Sequence, residues 1–242
     1  MKRTIAVHRL GLVPYVKAQA AQRVLAARRR EGTACDTLLL LEHPPVFTLG
    51  RLQESRANVR ASEAEIAACG AELVQSDRGG NVTFHGPGQL VAYPIIDLTG
   101  YRRDLRWYVH TLEDAMIETA AAYGVEARRG AAGETGVWVG ERKIGALGVR
   151  VSRWISGHGI ALNVDVDLGF FDMIVPCGLH HAPQVTSLAH ELAPAPPVRV
   201  PEVGARFADA FASNFECELV DAPVPDFLVA AMEDAGDEGP GR

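Results

Sequence analysis

The residue in this chain best suited to act as a nucleophile is Cys177, in Val175-Pro176-Cys177-Gly178-Leu179. Pro176 removes a backbone donor and Gly178 tolerates unusual dihedrals, so the thiol falls in an irregular loop. Free cysteines are more often buried small hydrophobes. That inert reading is kept for Cys35 beside a strand and Cys69 at a helix end. Cys217 is also read as inert, because its acidic neighbours would raise its pKa. A thiol is mostly protonated near neutral pH and needs a basic or cationic helper. Two candidates stand open. His180 and His181 follow the loop directly, and Cys–His is the commoner enzyme pairing. Lys143 lies among Gly145, Ala146 and Gly148, small residues that leave room for a substrate chain.

A second segment is rich in groups that could hold a ligand: Arg78-Gly79-Gly80-Asn81-Val82-Thr83-Phe84-His85-Gly86-Pro87-Gly88-Gln89. Gly79-Gly80 lets backbone approach a ligand closely, and successive N–H groups in such a loop cradle an anion or a carbonyl oxygen. Alternation from Val82 to His85 puts Thr83 and His85 on one strand face. A glycine-rich turn feeding a hairpin would use the same residues. The segment is no phosphate loop, because no Lys follows its glycines. His158, His180, His181 and His190 form no H-E-x-x-H pattern, so no metal is expected.

The elements that must position these residues follow from patterning. Residues 4–9 read as a strand. Pro14 opens a helix to about Arg30, closed by Gly32, with Arg28-Arg29-Arg30 in its last turn. Strands are expected at 37–41 and from 46 to 49, and a short helix at 62–70. Val82 to Ile96 reads as two strands around Gly86-Pro87-Gly88. An amphipathic helix spans 104–123, with Leu105, Val109, Leu112, Met116 and Ile117 on its apolar side. Val137 to Val139 and Arg142 to Val151 form a hairpin, a strand covers Ile160 to Val164, and 201–214 is helical. The fold class is α+β: a mixed, mostly antiparallel sheet with packed helices. One domain is expected over 1–232, with a smaller C-terminal lobe from about 195. An Asp/Glu/Gly/Pro-rich tail at 233–242 reads as disordered.

Bulk properties narrow the function. A net charge of -6 disfavours nucleic-acid binding. No apolar run approaches the ~18 residues of a membrane helix. The Met1-Lys2-Arg3 start is not followed by a signal-peptide core, since His8 and Arg9 interrupt Ile5-Ala6-Val7. The four cysteines are dispersed and form no C-x-x-C pair, which argues against a zinc ribbon or a disulfide scaffold and for a reducing, cytoplasmic setting.

Four stretches together resemble the lipoyl(octanoyl) transferases, octanoyl-[acyl-carrier-protein]–protein N-octanoyltransferases. They are Leu41-Glu42-His43-Pro44-Pro45-Val46-Phe47-Thr48-Leu49-Gly50-Arg51, Arg78 to Gln89 with Tyr93, Lys143-Ile144-Gly145-Ala146-Leu147-Gly148-Val149 through His158-Gly159, and Pro176-Cys177-Gly178 with Val185-Thr186-Ser187-Leu188. They span roughly residues 37–190. The resemblance implies the fold of biotin and lipoate protein ligases and a ping-pong transfer without cofactor. The thiolate matching Cys177 takes octanoate from octanoyl-acyl carrier protein, and a lysine on a lipoyl domain then receives it. This would be the first step of endogenous protein lipoylation. The acceptors implied are lipoyl domains of 2-oxoacid dehydrogenase E2 subunits and glycine cleavage H protein.

The resemblance also selects Lys143 over the histidines, as the residue that lowers the cysteine's pKa and shuttles protons. It implies a substrate site of Arg78, Gly79, Gly80, Asn81, Val82, Thr83, Phe84 and His85, with Ala146, Leu147 and Gly148 and with Gly159, Ile160 and Ala161. Backbone N–H groups near Gly178 or in the Gly79-Gly80 loop are candidates for an oxyanion hole. Arg78, Arg142, Arg150 and Arg153 are candidates for docking an acidic carrier protein. The rival readings are an ATP-dependent lipoate or biotin protein ligase, in which Cys177 would be dispensable, and a non-catalytic module that only binds lipoyl domains.

Overall fold

In the computed structural model, residues 3–131, 133–175 and 184–235 are described. In chain order the strands are β1 (Arg3–Leu12), β2 (Thr37–Glu42), β3 (Val46–Leu49), β4 (Glu72–Gln75), β5 (Thr83–His85), β6 (Gln89–Ile95), β7 (Arg128–Arg129), β8 (Val137–Val139), β9 (Arg142–Ser152), β10 (Ile155–Asn163) and β11 (Cys217–Asp221). The helices are α1 (Tyr15–Glu31), α2 (Glu63–Ala68), α3 (Leu105–Ala121), α4 (Leu188–Leu192), α5 (Val200–Asn214) and α6 (Asp226–Asp234).

The main sheet has the order β11-β1-β2-β6-β10-β9-β8-β7. The pairings of β1 with β11 and β2 are parallel and the rest are antiparallel, so the sheet is mixed and mostly antiparallel. Helices α3 and α5 cover one face, with Tyr108, Leu112, Met116, Phe207 and Phe211 on the core side. Helices α1 and α6 cover the other. Central β6 is therefore buried along its whole length. Its ladder with β10 stops at the Ile160–Ala92 pair, short of Pro94, which has no N–H to give. A smaller sheet, β4-β3-β5, has its own core of Phe47, Phe84, Phe171 and Ile174.

Sequence signals set most boundaries. Gly32 ends α1 in the left-handed region, at φ 75°, with its N–H on Arg29 O. The Asp104 side chain caps α3 by accepting the Trp107 N–H at 3.0 Å. Ser62 and Glu65 close a capping box on α2.

Some elements differ from expectation. The two strands around Gly86-Pro87-Gly88 do not pair with each other. β5 joins β3, whereas β6 joins β2 and β10. β10 starts at Ile155 and ends at Asn163, not 160–164, because it continues directly from the β9 turn. β4, β7, β11, α4 and α6 carry too few residues for a periodic signal. β11 is an edge strand with acidic residues on its exposed side, a composition that hides a strand from a hydrophobicity reading. Beyond residue 195, α5 packs on α3 and β11 extends the main sheet. Helix α6 carries through Asp234, and residues 236–242 lie outside the described residues. No described helix is long and apolar enough to cross a membrane.

Candidate active site

A cavity of about 320 Å³ lies along β9 and β10, with the 78–83 loop on its other wall. Lys143 lines one end and His158 the other. On β9 the positions from Lys143 to Val149, which faces His158, span about 20 Å at the rise of a strand. Arg78, Gly79, Gly80, Asn81, Val82, Thr83 and His85 line it, as do Ala146, Leu147, Gly148, Gly159, Ile160 and Ala161. Phe84 does not. Strand alternation turns its side chain the other way, where it stacks on Phe170 at 4.4 Å and packs against Phe47. The glycines permit close packing of the walls. A Cβ on Gly148 would stand 2.8 Å from Gly79 O, and one on Gly159 would stand 2.1 Å from Ala92 O.

Lys143 is 5% exposed. Its Nζ donates to Thr135 O at 2.8 Å and lies 5.5 Å from the centre of the Trp138 ring, an arrangement that suits an ammonium. Its backbone N–H donates to Gln184 O at 2.8 Å, and its carbonyl accepts from Thr186 N–H at 3.0 Å. Residues 184–186 thus run beside Lys143, bridged at Val185. Arg142 grips Glu191 through Nε at 2.9 Å and Nη2 at 2.7 Å, while Thr186 Oγ1 donates to Glu191 at 2.5 Å. The Arg142 bond holds the Glu191 carboxyl below its ordinary range. Cys177, with Pro176, Gly178, His180 and His181, lies outside the described residues. The chain before it is attached through Val175 N–H to Asn58 O at 2.7 Å.

A second polar cluster borders the cavity, and of its members Tyr15, Ser76, Asp77 and Asn163 had no signal in the sequence. His43 bonds Val13 O at 2.6 Å and the Tyr93 hydroxyl at 2.8 Å. Burial lowers the His43 imidazole to about 4. His85 is also pushed well down by burial, with the nearby His43 and Arg78 adding to the effect. Both rings are therefore neutral at neutral pH. His85 Nδ1 meets Gln89 Oε1 at 2.7 Å, Gln89 donates to Asn163 Oδ1 at 2.9 Å, and Asn163 donates to Thr186 O at 2.9 Å. Tyr15 and Ser76 share a hydroxyl bond at 2.7 Å. His158 Nε2 meets Asp77 Oδ1 at 2.7 Å, and Arg150 donates to the other carboxylate oxygen at 2.6 Å. Burial would raise the Asp77 carboxyl, but its bond to His158 and the charge of Arg150 bring it below the usual value.

Several expectations need correcting. Arg78 is no surface docking group. It is buried, and its Nε and Nη2 donate to Thr48 at 2.6–3.1 Å. Arg142 and Arg150 are engaged with Glu191 and Asp77. Arg153 is exposed. The Gly79 N–H donates to Val149 O at 3.1 Å, so that amide does not serve an oxyanion. Cys35 and Cys69 are exposed and Cys217 is buried, so the cysteines called inert differ in accessibility. Tyr15, Ser76, Asp77, Asn163 and Glu113 gave no motif-level signal. They come from four separate elements or loops, and only the fold collects them.

The Lipoyl protein ligase A/B catalytic domain pattern matches residues 14–212. An octanoyltransferase of Solibacter usitatus (strain Ellin6076) is 48% identical over 218 residues, covering 90% of this chain and 96% of that one. An octanoyltransferase of Gloeobacter violaceus (strain ATCC 29082 / PCC 7421) is 52% identical over 211 residues, covering 86% and 90%. A bi-partite lipoate protein ligase from Thermoplasma acidophilum shares the fold, with a TM-score of 0.75 at 16% identity, over 98% of this chain and 93% of that one.

Proposed function

This chain belongs to the octanoyltransferases of the Lipoyl protein ligase A/B catalytic-domain family, and from that premise we propose how its residues perform the transfer. The enzyme is an acyltransferase that moves octanoyl groups to lysines of lipoyl domains. The donor is octanoyl-acyl carrier protein. Cys177 is the nucleophile and Lys143 its acid–base partner. The observation that carries this reading is the placement of Lys143. Its side chain lines a chain-shaped cavity, while its backbone is laced to residues 184–186, on the C-terminal side of the segment bearing Cys177.

The chemistry balances in two halves. The Cys177 thiolate, formed by proton transfer to Lys143, attacks the thioester carbonyl. The tetrahedral oxyanion collapses and expels the carrier's thiolate, which takes the proton from the Lys143 ammonium. Octanoyl-Cys177 and a neutral Lys143 remain. The neutral ε-amine of the acceptor lysine then attacks the new thioester. Lys143 takes a proton from that amine, and Cys177 leaves as thiolate, so that both residues return to their starting state. A thioester is already activated, so no ATP is consumed.

The cavity suits the acyl group. A fully extended octanoyl chain is about 9 Å long by ordinary bond geometry. A chain anchored near Lys143 therefore ends along Ala146, Leu147 and Ala161, short of His158. The neutral state of His43 and His85 keeps charge away from the alkane. Incubation with octanoyl-carrier protein, without ATP, is expected to add one octanoyl mass to the protein, and peptide mapping is expected to put it on Cys177. A label on Cys35 or Cys69, or a requirement for ATP, would sink the reading.

A further inference from the structure

A single peptide group stands between Lys143 and a buried carboxylate. The Thr135 carbonyl accepts from Lys143 Nζ at 2.8 Å. The Gly136 N–H, the other half of the same peptide plane, donates to Glu113 Oε1 at 2.9 Å. Glu113 projects from α3 and is 4% exposed. Its other carboxylate oxygen faces Arg129 Nε at 3.4 Å. A carboxylate so deeply buried is costly unless it is paired and hydrogen-bonded, and here the backbone amide supplies one of its partners.

Two physical effects follow. The peptide is planar, so fixing its N–H fixes the direction of its C=O. Hydrogen bonds in series also polarise one another. An anion on the N–H makes the carbonyl oxygen a stronger acceptor for an ammonium. Gly136 is suited to this place. Its φ is +127°, and a Cβ there would lie 2.7 Å from Lys143 Cε and 2.6 Å from Gly145 O. Only glycine lets the peptide lie flat against the lysine stem.

We propose that Glu113 is a positioning residue for the transfer: its carboxylate, acting through the Thr135–Gly136 peptide, holds the Lys143 ammonium where it exchanges protons beside the cavity. This rests on the role given to Lys143 above. Sequence gave no hint of it, since Glu113 sits mid-helix, 30 positions before the lysine it serves.

The test is a double-mutant cycle on the full-length enzyme with octanoyl-carrier protein and a lipoyl domain. It uses Glu113→Ala, Lys143→Ala and the double variant, with Glu113→Gln alongside. Glu113→Ala is expected to lower kcat about 10²-fold, the usual cost of misplacing a catalytic group by an ångström, with KM for the carrier changed less than about twofold. Glu113→Gln keeps an acceptor for the Gly136 N–H without the charge, and is expected to recover about tenfold of that loss. The double variant should be no slower than Lys143→Ala, because Glu113 acts only through the lysine. Losses that multiply in the double variant, or wild-type turnover in Glu113→Ala beside a crippled Lys143→Ala, overturn the proposal. Wild-type turnover in Lys143→Ala instead overturns the role of the lysine, and this inference falls with it. Thermal melts monitor folding; if Glu113→Ala does not fold, the cycle is run with Glu113→Gln, where the same two patterns decide.

Discussion

Two polar clusters border the cavity, both buried, yet they manage charge in opposite ways. Lys143 is surrounded by acceptors for a cation: the Thr135 carbonyl, the Trp138 face and, one peptide away, the Glu113 carboxylate. In the other cluster, His43, His85, Tyr93 and Tyr15 bond to backbone or neutral side chains, and burial keeps the imidazoles uncharged. Arg78 also lines the cavity, where its guanidinium donates to Thr48 and Gly79 and its charge adds to the lowering of His85. The lesson is that burial alone does not fix a side chain's state; the partner set does. A proton that can move suits acid–base work, whereas a charge left without partners beside an apolar wall would cost its lost solvation.

That contrast is open to attack at three points. The largest effect is expected at Lys143. Lys143→Ala should slow alkylation of Cys177 near neutral pH by about 10²-fold and move its pH profile upward, since the thiolate loses its cationic partner. An unchanged profile in iodoacetamide labelling would dissolve the distinction between the two clusters.

The second point is the histidine cluster. The His43 imidazole is lowered from 6.5 to about 4, so between those values the unfolded chain binds the extra proton. Stability is therefore fully present above pH 6.5 and falls as pH drops towards 4, by about 3 kcal/mol at most from this group. Urea midpoints measured across that window should show a shallower slope in His43→Gln. Equal slopes would mean that the ring is not held neutral by burial. The smallest effect is expected at the solvent-facing edge of the histidine cluster. Arg150 is 47% exposed, and removing it should cost about 0.5 kcal/mol in urea unfolding, because exposed ion pairs are screened. A loss several times larger would show that Arg150 belongs to the buried network rather than to its edge.

Much of the architecture was legible before the fold was known, and the gaps have physical causes. Gly32, Asp104 and the Val137–Val151 hairpin announce themselves through local chemistry, so α1, α3 and β8–β9 fall where patterning places them. Gly86-Pro87-Gly88 also announces a turn. However, the turn does not say whether its flanking strands pair, and β5 and β6 part into different sheets. In the site, Thr83 and His85 share a strand face as alternation requires, and the same rule excludes Phe84, which the glycine-loop resemblance had included. Among the arginines proposed for docking, Arg78 was misjudged because charge in a sequence says nothing of exposure, whereas Arg153 is exposed. Arg78 is buried, and Arg142 and Arg150 already have acidic partners.

The sequence by itself determined the family, the residue types that do chemistry and the helix and strand periods, because these are properties of local order and composition. The tertiary structure decided which distant groups meet. Lys143 reads in sequence as one cation among small residues, and the fold supplies Thr135, Trp138 and Glu113 around it from a loop, a neighbouring strand and a helix. His43, Tyr93 and His85 come together in the same way from three parts of the chain. Their neutrality, like the cation-accepting surroundings of the lysine, is set by burial and by partners that packing brings together. Neither quantity exists until the sheets and helices have packed.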